Sequence, residues 1–201
     1  MPSALAITCT LKPSPAPSSS ELIARQTLDA LSAQGVRETM IRAVDHDILP
    51  GVERTMGEGD AWPEILDRVL DADILLVSTP TWLGQMSSVA HRVLERLDAE
   101  ISQTDDAGRP SMVGKVAMCA VVGNEDGAHK IIADVFGALN DIGFSVPAQG
   151  STYWNDEAMG GRDFKDLDTV PTAVADATNA AARNAAHLAR LLSDNTYPAY
   201  Q

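Results

Sequence analysis

An apolar run, Ile74–Val77, that passes directly into a loop containing proline and glycine, Ser78–Gln85, is the feature that most constrains the fold of this chain. The run has no polar residue at alternate positions, so it predicts a β-strand that is buried on both faces. Ser87 and Ser88, after the loop, are typical of the start of a helix. A buried strand, a loop and a helix form the repeating unit of an open parallel sheet. Such sheets bind ligands at the loops beyond the carboxyl ends of their strands.

The same alternation of strand and helix extends along the chain. The predicted strands are Ala4–Cys9, Val36–Val44, Asp73–Ser78, Lys115–Val122 and Phe144–Gln149. The predicted helices are Ser19–Ala33, Trp62–Leu70, Ser88–Ile101, Ala128–Ile142 and Thr169–Leu192. Five strands that alternate with five helices predict an α/β fold, a doubly wound five-stranded parallel sheet with helices on both faces. Right-handed crossovers favour the strand order 2-1-3-4-5, which places the ends of the first, third and fourth strands side by side.

Length, charge and cysteine content restrict the class of protein. A chain of 201 residues is long enough for one core, and we expect a single domain over 1–201 with a mobile tail at 195–201. The net charge of -13 repels a phosphate backbone, so we expect no nucleic-acid partner. The N-terminus lacks the basic region of a secretory signal, and no apolar segment is long enough to span a bilayer. A third strand separates the predicted strands of Cys9 and Cys119. We therefore expect reduced cysteines, a cytoplasmic location and no membrane partner.

The loop between the first strand and its helix is rich in hydrogen-bond donors. Lys12 adds a positive charge and the helix N-terminus adds amide groups, a combination that suits a phosphate monoester. The alternative is a helix cap in a linker stiffened by prolines, because Ser18 and Glu21 have the spacing of a capping box. No Gly-rich dinucleotide fingerprint or P-loop occurs, which disfavours those two phosphate sites. The hydroxyl groups of the loop belong to Thr10, Ser14, Ser18, Ser19 and Ser20.

Two further loops carry groups that suit a flat ring. The indole of Trp82 can pack against a planar heterocycle, although a tryptophan can equally fill the core. The glycines of the segment Gly123–Gly127 allow close approach of the backbone, and the alternative is an acidic turn with Asn124 or Asp126 as N-cap of the next helix. Because all three loops end at one edge of the sheet, they predict one ligand with a phosphate at one end and a flat ring at the other.

Other chemistries find little support in the sequence. The histidines and cysteines have no metal-ligand spacing, and Asp45-His46-Asp47 is interpreted as a solvated loop rather than a metal site. The G-x-S-x-G motif of α/β-hydrolases does not occur. Response regulators share the predicted topology but need acidic residues at the end of the first strand, where this chain has Cys9 and Thr10. We therefore assign no metal.

The segment Ser78–Gln85, the following helix with His91, Arg92 and Asp98, and the segment Gly123–Gly127 resemble the flavodoxin-like superfamily. The resemblance is to its NAD(P)H-dependent FMN reductase and quinone reductase branch, and it extends from Ala4 through the terminal helix. It implies that the first loop holds the phosphate of FMN and that the other two hold the isoalloxazine. The implied phosphate residues are Thr10, Lys12, Ser18, Ser19 and Ser20. The implied ring residues are Pro80, Thr81, Trp82, Leu83 and Gly84 on one side and Gly123, Asn124, Glu125, Asp126 and Gly127 on the other.

The resemblance also implies an activity. The chain would be an FMN-dependent oxidoreductase with NADH or NADPH as co-substrate, passing hydride or electrons through the flavin to a quinone, a free flavin or another small acceptor. Hydride transfer between a nicotinamide and a flavin requires no acid or base from the protein, so we assign no catalytic residue. We also expect a homo-oligomer. The alternatives are a non-enzymatic flavodoxin-like electron carrier or FMN-binding protein, and a relic of the fold that binds no flavin. Tyr153 and Trp154 contact either the flavin or a neighbouring subunit, and the sequence does not distinguish the two.

Overall fold

A computed structural model describes residues 1–157 and 160–200 of the chain. Five strands form a parallel sheet in the order β2-β1-β3-β5-β6, and the two-residue strand β4 pairs antiparallel with the end of β3. When this short hairpin strand is set aside, the predicted order 2-1-3-4-5 is confirmed. The strands are β1 Ser3–Thr8, β2 Arg37–Arg42, β3 Ile74–Trp82, β4 Gln85–Met86, β5 Val116–Gly123 and β6 Ser151–Asn155.

Helices cover both faces of the sheet, as predicted, and each face has its own apolar core. Helices α1 and α5 pack on one face, and α2, α3 and α4 pack on the other. Because strands β1, β3 and β5 contribute buried side chains to both cores, their sequences read as continuous apolar runs. The helices are α1 Ser19–Ser32, α2 Trp62–Asp71, α3 Ser88–Leu97, α4 Ala128–Asp141 and α5 Thr172–Asp194.

The predicted fifth strand, Phe144–Gln149, is wrong. In the structure this segment connects α4 to β6, and the strand lies at Ser151–Asn155. Ser145 forms only an isolated bridge with Val116 before the chain turns, with the amide of Gly150 donating to the carbonyl of Pro147 at 3.1 Å. Pro147 has no amide to donate to a ladder, which explains why regular pairing does not continue there.

The third predicted strand is longer than expected, because β3 continues from Ser78 through Trp82. Its pairing with β1 ends at Ser78, whereas its pairing with β5 continues to Pro80. Pro80 is therefore next to one strand only, a position in which proline is tolerated. As a result, Thr79, Pro80, Thr81 and Trp82, which were predicted to lie in the loop, belong to the strand.

The long connection between β2 and α2 is fixed by a buried ion pair. The carboxylate of Asp60 contacts a guanidinium nitrogen of Arg96 at 2.8 Å, and both side chains are fully buried. Asp60 also accepts hydrogen bonds from the amides of Leu49, Met56 and Trp62 at 3.2, 2.9 and 3.1 Å. The guanidinium of Arg96 lies over the ring of Trp62, 5.6 Å from its centroid. The carboxylate of Asp60 thus links the connection between β2 and α2 to the start of α2 and to α3.

The two cysteines are separated by a strand, as predicted. Cys9 follows β1 and Cys119 lies on β5, with β3 between these strands, and both thiols are free and buried. Burial raises the pKa of the Cys9 thiol to about 12.

The C-terminal tail contacts the body of the protein. The hydroxyl of Tyr197 is 2.9 Å from that of Ser145, and the amide of Tyr200 donates to the carbonyl of Ala107 at 3.0 Å. The mobility of this tail stays a prediction.

Candidate functional site

A cavity opens at the carboxyl edge of the sheet, where the loops after β1, β3 and β5 meet the segment after β6. The strand order brings the three loops together, because β1, β3 and β5 are neighbours in the sheet. The residues that line the cavity are Thr10, Leu11, Lys12, Ser18, Ser19, Ser20, Pro80, Thr81, Trp82, Val122, Gly123, Asn124, Trp154, Asp163, Phe164 and Lys165.

One end of the cavity is polar and is built on the first turn of α1. The hydroxyl of Ser18 accepts the amide of Glu21 at 3.3 Å, and the carbonyl of Ser18 accepts the amide of Leu22. The amides of Ser19 and Ser20 precede any intrahelical acceptor, so they are available to a ligand. All five residues assigned to a phosphate, namely Thr10, Lys12, Ser18, Ser19 and Ser20, line this end. Their contact with a phosphate stays a prediction.

The loop that carries Lys12 is held from outside the cavity. A guanidinium nitrogen of Arg42 donates to the carbonyls of Lys12 and Ala16 at 3.1 and 3.0 Å, and the same side chain pairs with Glu21. Glu21 therefore supports the loop, and its side chain does not close the expected capping box. These contacts give the proline-containing loop a defined conformation before a ligand arrives.

Ser14, whose hydroxyl was among the predicted hydrogen-bond donors to a phosphate, has a different role. Its amide and hydroxyl both donate to the carboxylate of Asp45, and its side chain does not line the cavity. The hydrogen bonds from Ser14 hold the pKa of Asp45 below its usual value. Asp45 thus holds the first loop in place through Ser14. The motif Asp45-His46-Asp47 did not indicate this role.

Aromatic side chains form the walls of the other end. Trp82 is 54% exposed and lines the cavity, so it is not a core tryptophan. Trp154 and Phe164 are buried, their ring centroids 5.5 Å apart, and both line the cavity as well. The neighbouring Tyr153 does not line the cavity. Its ring packs edge-on against the ring of His129, and the two ring centroids are 5.1 Å apart. The cavity wall therefore contains one exposed and two buried aromatic rings.

Two of the predicted ring residues, Leu83 and Gly84, form the tip of the β3–β4 hairpin and do not line the cavity. Both have positive φ angles, 51° and 69°, as a tight hairpin turn requires. The carboxylate of Glu125 accepts their two amides at 2.9 and 3.2 Å. Glu125 also does not line the cavity, and it holds the hairpin that presents Trp82.

The glycines of the third loop allow close contact between loops. A Cβ at Gly123 would lie 2.8 Å from the Cβ of Thr81, and a Cβ at Gly127 would lie 2.7 Å from the Cα of Gly84. Gly127 also has a φ of 142°, a conformation that L-residues rarely adopt. Of these two glycines only Gly123 reaches the cavity. Gly127 packs against the hairpin tip, which explains why a residue predicted to contact the ring lies outside the lining.

Asn124 and Asp126 do not cap α4 as the alternative interpretation supposed. The N-cap residue is Gly127, and no side chain within the described residues caps this helix. Asn124 lines the cavity, and its amide nitrogen donates to the carbonyl of Gly160 at 2.7 Å. Asp126 is exposed, accepts the amide of Gly127, and does not line the cavity.

Sequence reasoning missed five lining residues: Leu11 and Val122, which are adjacent to assigned residues, and the group Asp163, Phe164 and Lys165. This group lies in or beside a short 3₁₀ helix, Phe164–Asp166, in the connection between β6 and α5. The connection has no recognisable sequence motif. The only signal was a large apolar residue, Phe164, among glycine and charged residues.

The chemistry of the lining fits a phosphorylated aromatic ligand. The lining combines hydroxyls, the amides of the first turn of α1, two lysines and the carboxylate of Asp163 with indole and phenyl rings. In the described part of the chain, the buried hydroxyl of Thr81 has no hydrogen-bond partner. An unsatisfied hydroxyl in the wall of a cavity is costly unless a ligand or water completes it. A flavin mononucleotide, with one phosphate and one flat polar ring, matches this donor set.

Comparison with known sequences identifies related proteins. The family model described as NADPH-dependent FMN reductase matches residues 3–158. The 8-demethyl-8-aminoriboflavin-5'-phosphate synthase of Streptomyces davaonensis is 30% identical over 213 aligned positions, which cover 96% of this chain and 79% of that protein. A protein of Mycobacterium bovis described as the divalent metal cation transporter MntH is 38% identical over 167 residues. That match covers 81% of this chain but only 24% of the relative, so the chain spans about a quarter of that protein's length.

Solved structures give the same result. The structure of RosB with the bound intermediate 8-demethyl-8-formylriboflavin-5'-phosphate superposes with a TM-score of 0.86 at 28% identity, covering 98% of this chain and 82% of that one. An apo NADH:FMN oxidoreductase superposes with a TM-score of 0.67 at 20% identity, covering 97% and 92%, and supports the fold alone. Over residues 1–157 and 160–200 of this chain, no helix has the length and apolar character needed to cross a membrane.

Proposed function

This chain belongs to the NADPH-dependent FMN reductase family, and we propose that its cavity binds FMN as a cofactor for NAD(P)H oxidation. The observation that carries the proposal is that one cavity is lined both by the first turn of α1, with its hydroxyl groups and the nearby lysines, and by the indoles of Trp82 and Trp154. The phosphate would lie on the first turn of α1, and the ring would lie beside the aromatic residues. Membership in a flavin-dependent oxidoreductase family supports this assignment.

Each part of the site would have a separate task. When bound, FMN supplies the hydride or electron transfer. Ser18, Ser19, Ser20 and Lys12 would hold the phosphate. The walls formed by Trp82, Trp154 and Phe164 would orient the ring and exclude water from one of its sides. A small acceptor such as a quinone or a free flavin would bind at the exposed mouth, beside Trp82.

A steady-state assay separates a reductase from an electron carrier. We expect the FMN-loaded protein to oxidise NADH or NADPH when a quinone is added, because the exposed side of Trp82 leaves room for a second ring. The rate should follow the amount of protein at constant free FMN. Flavin binding without nicotinamide oxidation at any quinone concentration would instead support the carrier.

The similarity to a protein that modifies flavin phosphates supports a second candidate function, in which the flavin is the substrate. The similar sequence is named for the synthesis of a modified riboflavin phosphate, and the similar structure holds a formylated riboflavin phosphate as an intermediate. The same cavity would serve both functions, because the phosphate and ring determinants are shared. The mass of the flavin recovered after turnover distinguishes them: an unchanged mass supports the reductase, and a changed mass supports flavin modification.

We predict that Trp82→Ala weakens flavin binding with little effect on the stability of the ligand-free protein. Trp82 is 54% exposed at the end of β3, so its removal opens no internal cavity. Loss of ring packing should reduce flavin affinity by about 0.5–1.5 kcal/mol. Fluorescence titration and thermal unfolding of the same variant test both parts. A large fall in the melting temperature with normal flavin binding would contradict this role.

Trp154→Ala is the matched comparison. Trp154 lines the same cavity but is buried against Phe164, so its truncation should cost about 3–5 kcal/mol of stability in addition to any loss of flavin affinity. The two tryptophans therefore separate ring contact from core packing within one site.

A further inference from the structure

The connection between β6 and α5 is attached to the polar end of the cavity. The amide of Lys165 donates to the hydroxyl of Ser19, in the first turn of α1, at 3.2 Å. Phe164, the preceding residue, is buried beside Trp154 and anchors the 3₁₀ helix Phe164–Asp166. The backbone of Lys165 is thus fixed next to the helix N-terminus that would hold a phosphate.

Lys165 is a second cation at this end of the cavity, together with Lys12. Its ammonium group contacts the carboxylate of Asp163 at 2.7 Å and both oxygens of Asp166 at 3.1 Å. The hydrogen bonds to Asp163 and then to Asp166 raise the pKa of Lys165, so this group is positively charged at neutral pH. Its side chain is only 23% exposed, which limits the solvent screening of that charge.

Asp166 interacts with both lysines. Its hydrogen bond from Lys165 is the main reason that the pKa of Asp166 lies below the usual value, and the positive charge of Lys12 contributes to the same effect. Asp166 itself does not line the cavity, whereas both lysines do. The carboxylate therefore partly neutralises the charge of two lysines of the lining without being part of the lining itself.

We propose that Lys165 binds the phosphate of the flavin and that Asp166 competes with this phosphate for Lys165 and Lys12. The inference rests on the proposed FMN site and adds a residue that determines its preference for a phosphorylated flavin. A phosphate dianion accepts stronger hydrogen bonds from an ammonium group than a single carboxylate does, and the amides of α1 add to its binding. Lys165 keeps Asp163 as a partner, so the exchange leaves its side chain held in place.

This exchange predicts effects of opposite sign for the two partners. Lys165→Met should weaken FMN about tenfold, the loss expected for one hydrogen bond to a charged group. Asp166→Asn should strengthen FMN by about threefold, because it removes a partly exposed competing charge. Neither change should alter the affinity for riboflavin, which has no phosphate. Lys165→Arg should retain the preference for FMN, because it keeps the charge.

The test is a fluorescence titration of each variant with FMN and with riboflavin. Arg109→Met and Asp105→Asn are the matched controls, because the Arg109 side chain, 21% exposed, resembles that of Lys165 in exposure, and because this ion pair changes the net charge equally and does not line the cavity. Thermal unfolding of the ligand-free variants checks that each is folded, and Lys165→Arg carries the test if Lys165→Met does not fold.

The outcomes separate this inference from the proposed function. If the unmodified protein does not bind FMN, the proposed function fails. If it binds FMN but Lys165→Met affects FMN and riboflavin equally, only the role of Lys165 fails. A weaker affinity for FMN in Asp166→Asn would show that this carboxylate positions Lys165, and it would overturn the competition. If the control variants change the affinity for FMN by the same factors, the effect comes from net charge alone, and the inference is overturned.

Discussion

Replacement of Asp60 by asparagine is expected to lower the free energy of unfolding by about 3–5 kcal/mol, the cost of leaving a buried charge without its partner. Asp60 and Arg96 are both fully buried, and the carboxylate accepts three backbone amides as well as the guanidinium. An asparagine can replace one oxygen but not the charge, so the buried Arg96 would remain charged beside Trp62 with only neutral partners, among them the carbonyls of Leu49 and Glu53. The connection between β2 and α2 would lose its anchor.

Chemical unfolding of Asp60→Asn and of Asp134→Asn measures this effect against a control. Asp134 pairs with Lys130 at 2.5 Å on the surface of α4, and its loss should cost less than about 1 kcal/mol. A loss below about 1 kcal/mol for Asp60→Asn as well would contradict the account of the buried pair.

The same pair should appear in the pH dependence of stability. Burial opposes the charge of Asp60, but the amides of Met56 and Trp62 and the guanidinium of Arg96 outweigh it and hold the pKa below the ordinary value of 3.8. A lowered pKa in the folded state gives a contribution that is complete above pH 3.8 and is lost as the pH falls through the folded pKa. The stability of Asp60→Asn should therefore depend less on pH below about 4 than that of the unmodified protein.

The order of the sheet could be predicted because its central strands are short apolar runs between clear helix signals. Ile74–Val77 has no polar face, and that alone indicates a strand covered on both sides. The fifth strand could not be placed, since Phe144–Gln149 and Ser151–Asn155 are both short and partly apolar. The choice between them depends on pairing with β5, where Tyr153 lies opposite Val121. Register of this kind is a tertiary property.

The site was predictable as a set of loops but not as a set of contacts. Thr10, Lys12, Trp82 and Gly123 line the cavity because the loop ends on which they lie meet at one edge of the sheet. Glu125 was assigned to the ring, although it binds amides of the hairpin instead. A single sequence does not show whether a carboxylate near a loop faces a ligand or another loop. Lys165 was missed for the same reason, because only folding brings it to Ser19.

We expect FMN to bind more tightly than riboflavin by about 100-fold or more, which corresponds to two hydrogen bonds between charged groups. The amides of Ser19 and Ser20, the hydroxyls around them and the ammonium groups of Lys12 and Lys165 are arranged at one end of the cavity. Riboflavin can use the aromatic end but has no group for these donors. The preference for FMN therefore reports the polar end of the site directly.

Titration of the purified protein with FMN and with riboflavin, followed by flavin fluorescence, tests the central claim most directly. The account predicts saturable binding of FMN and an affinity for riboflavin that is lower by the factor above. An increase in salt concentration should reduce the difference, because part of it is electrostatic. Equal affinities for the two flavins would contradict the phosphate site on α1, and no binding of either would show that the chain has kept the fold without the cofactor.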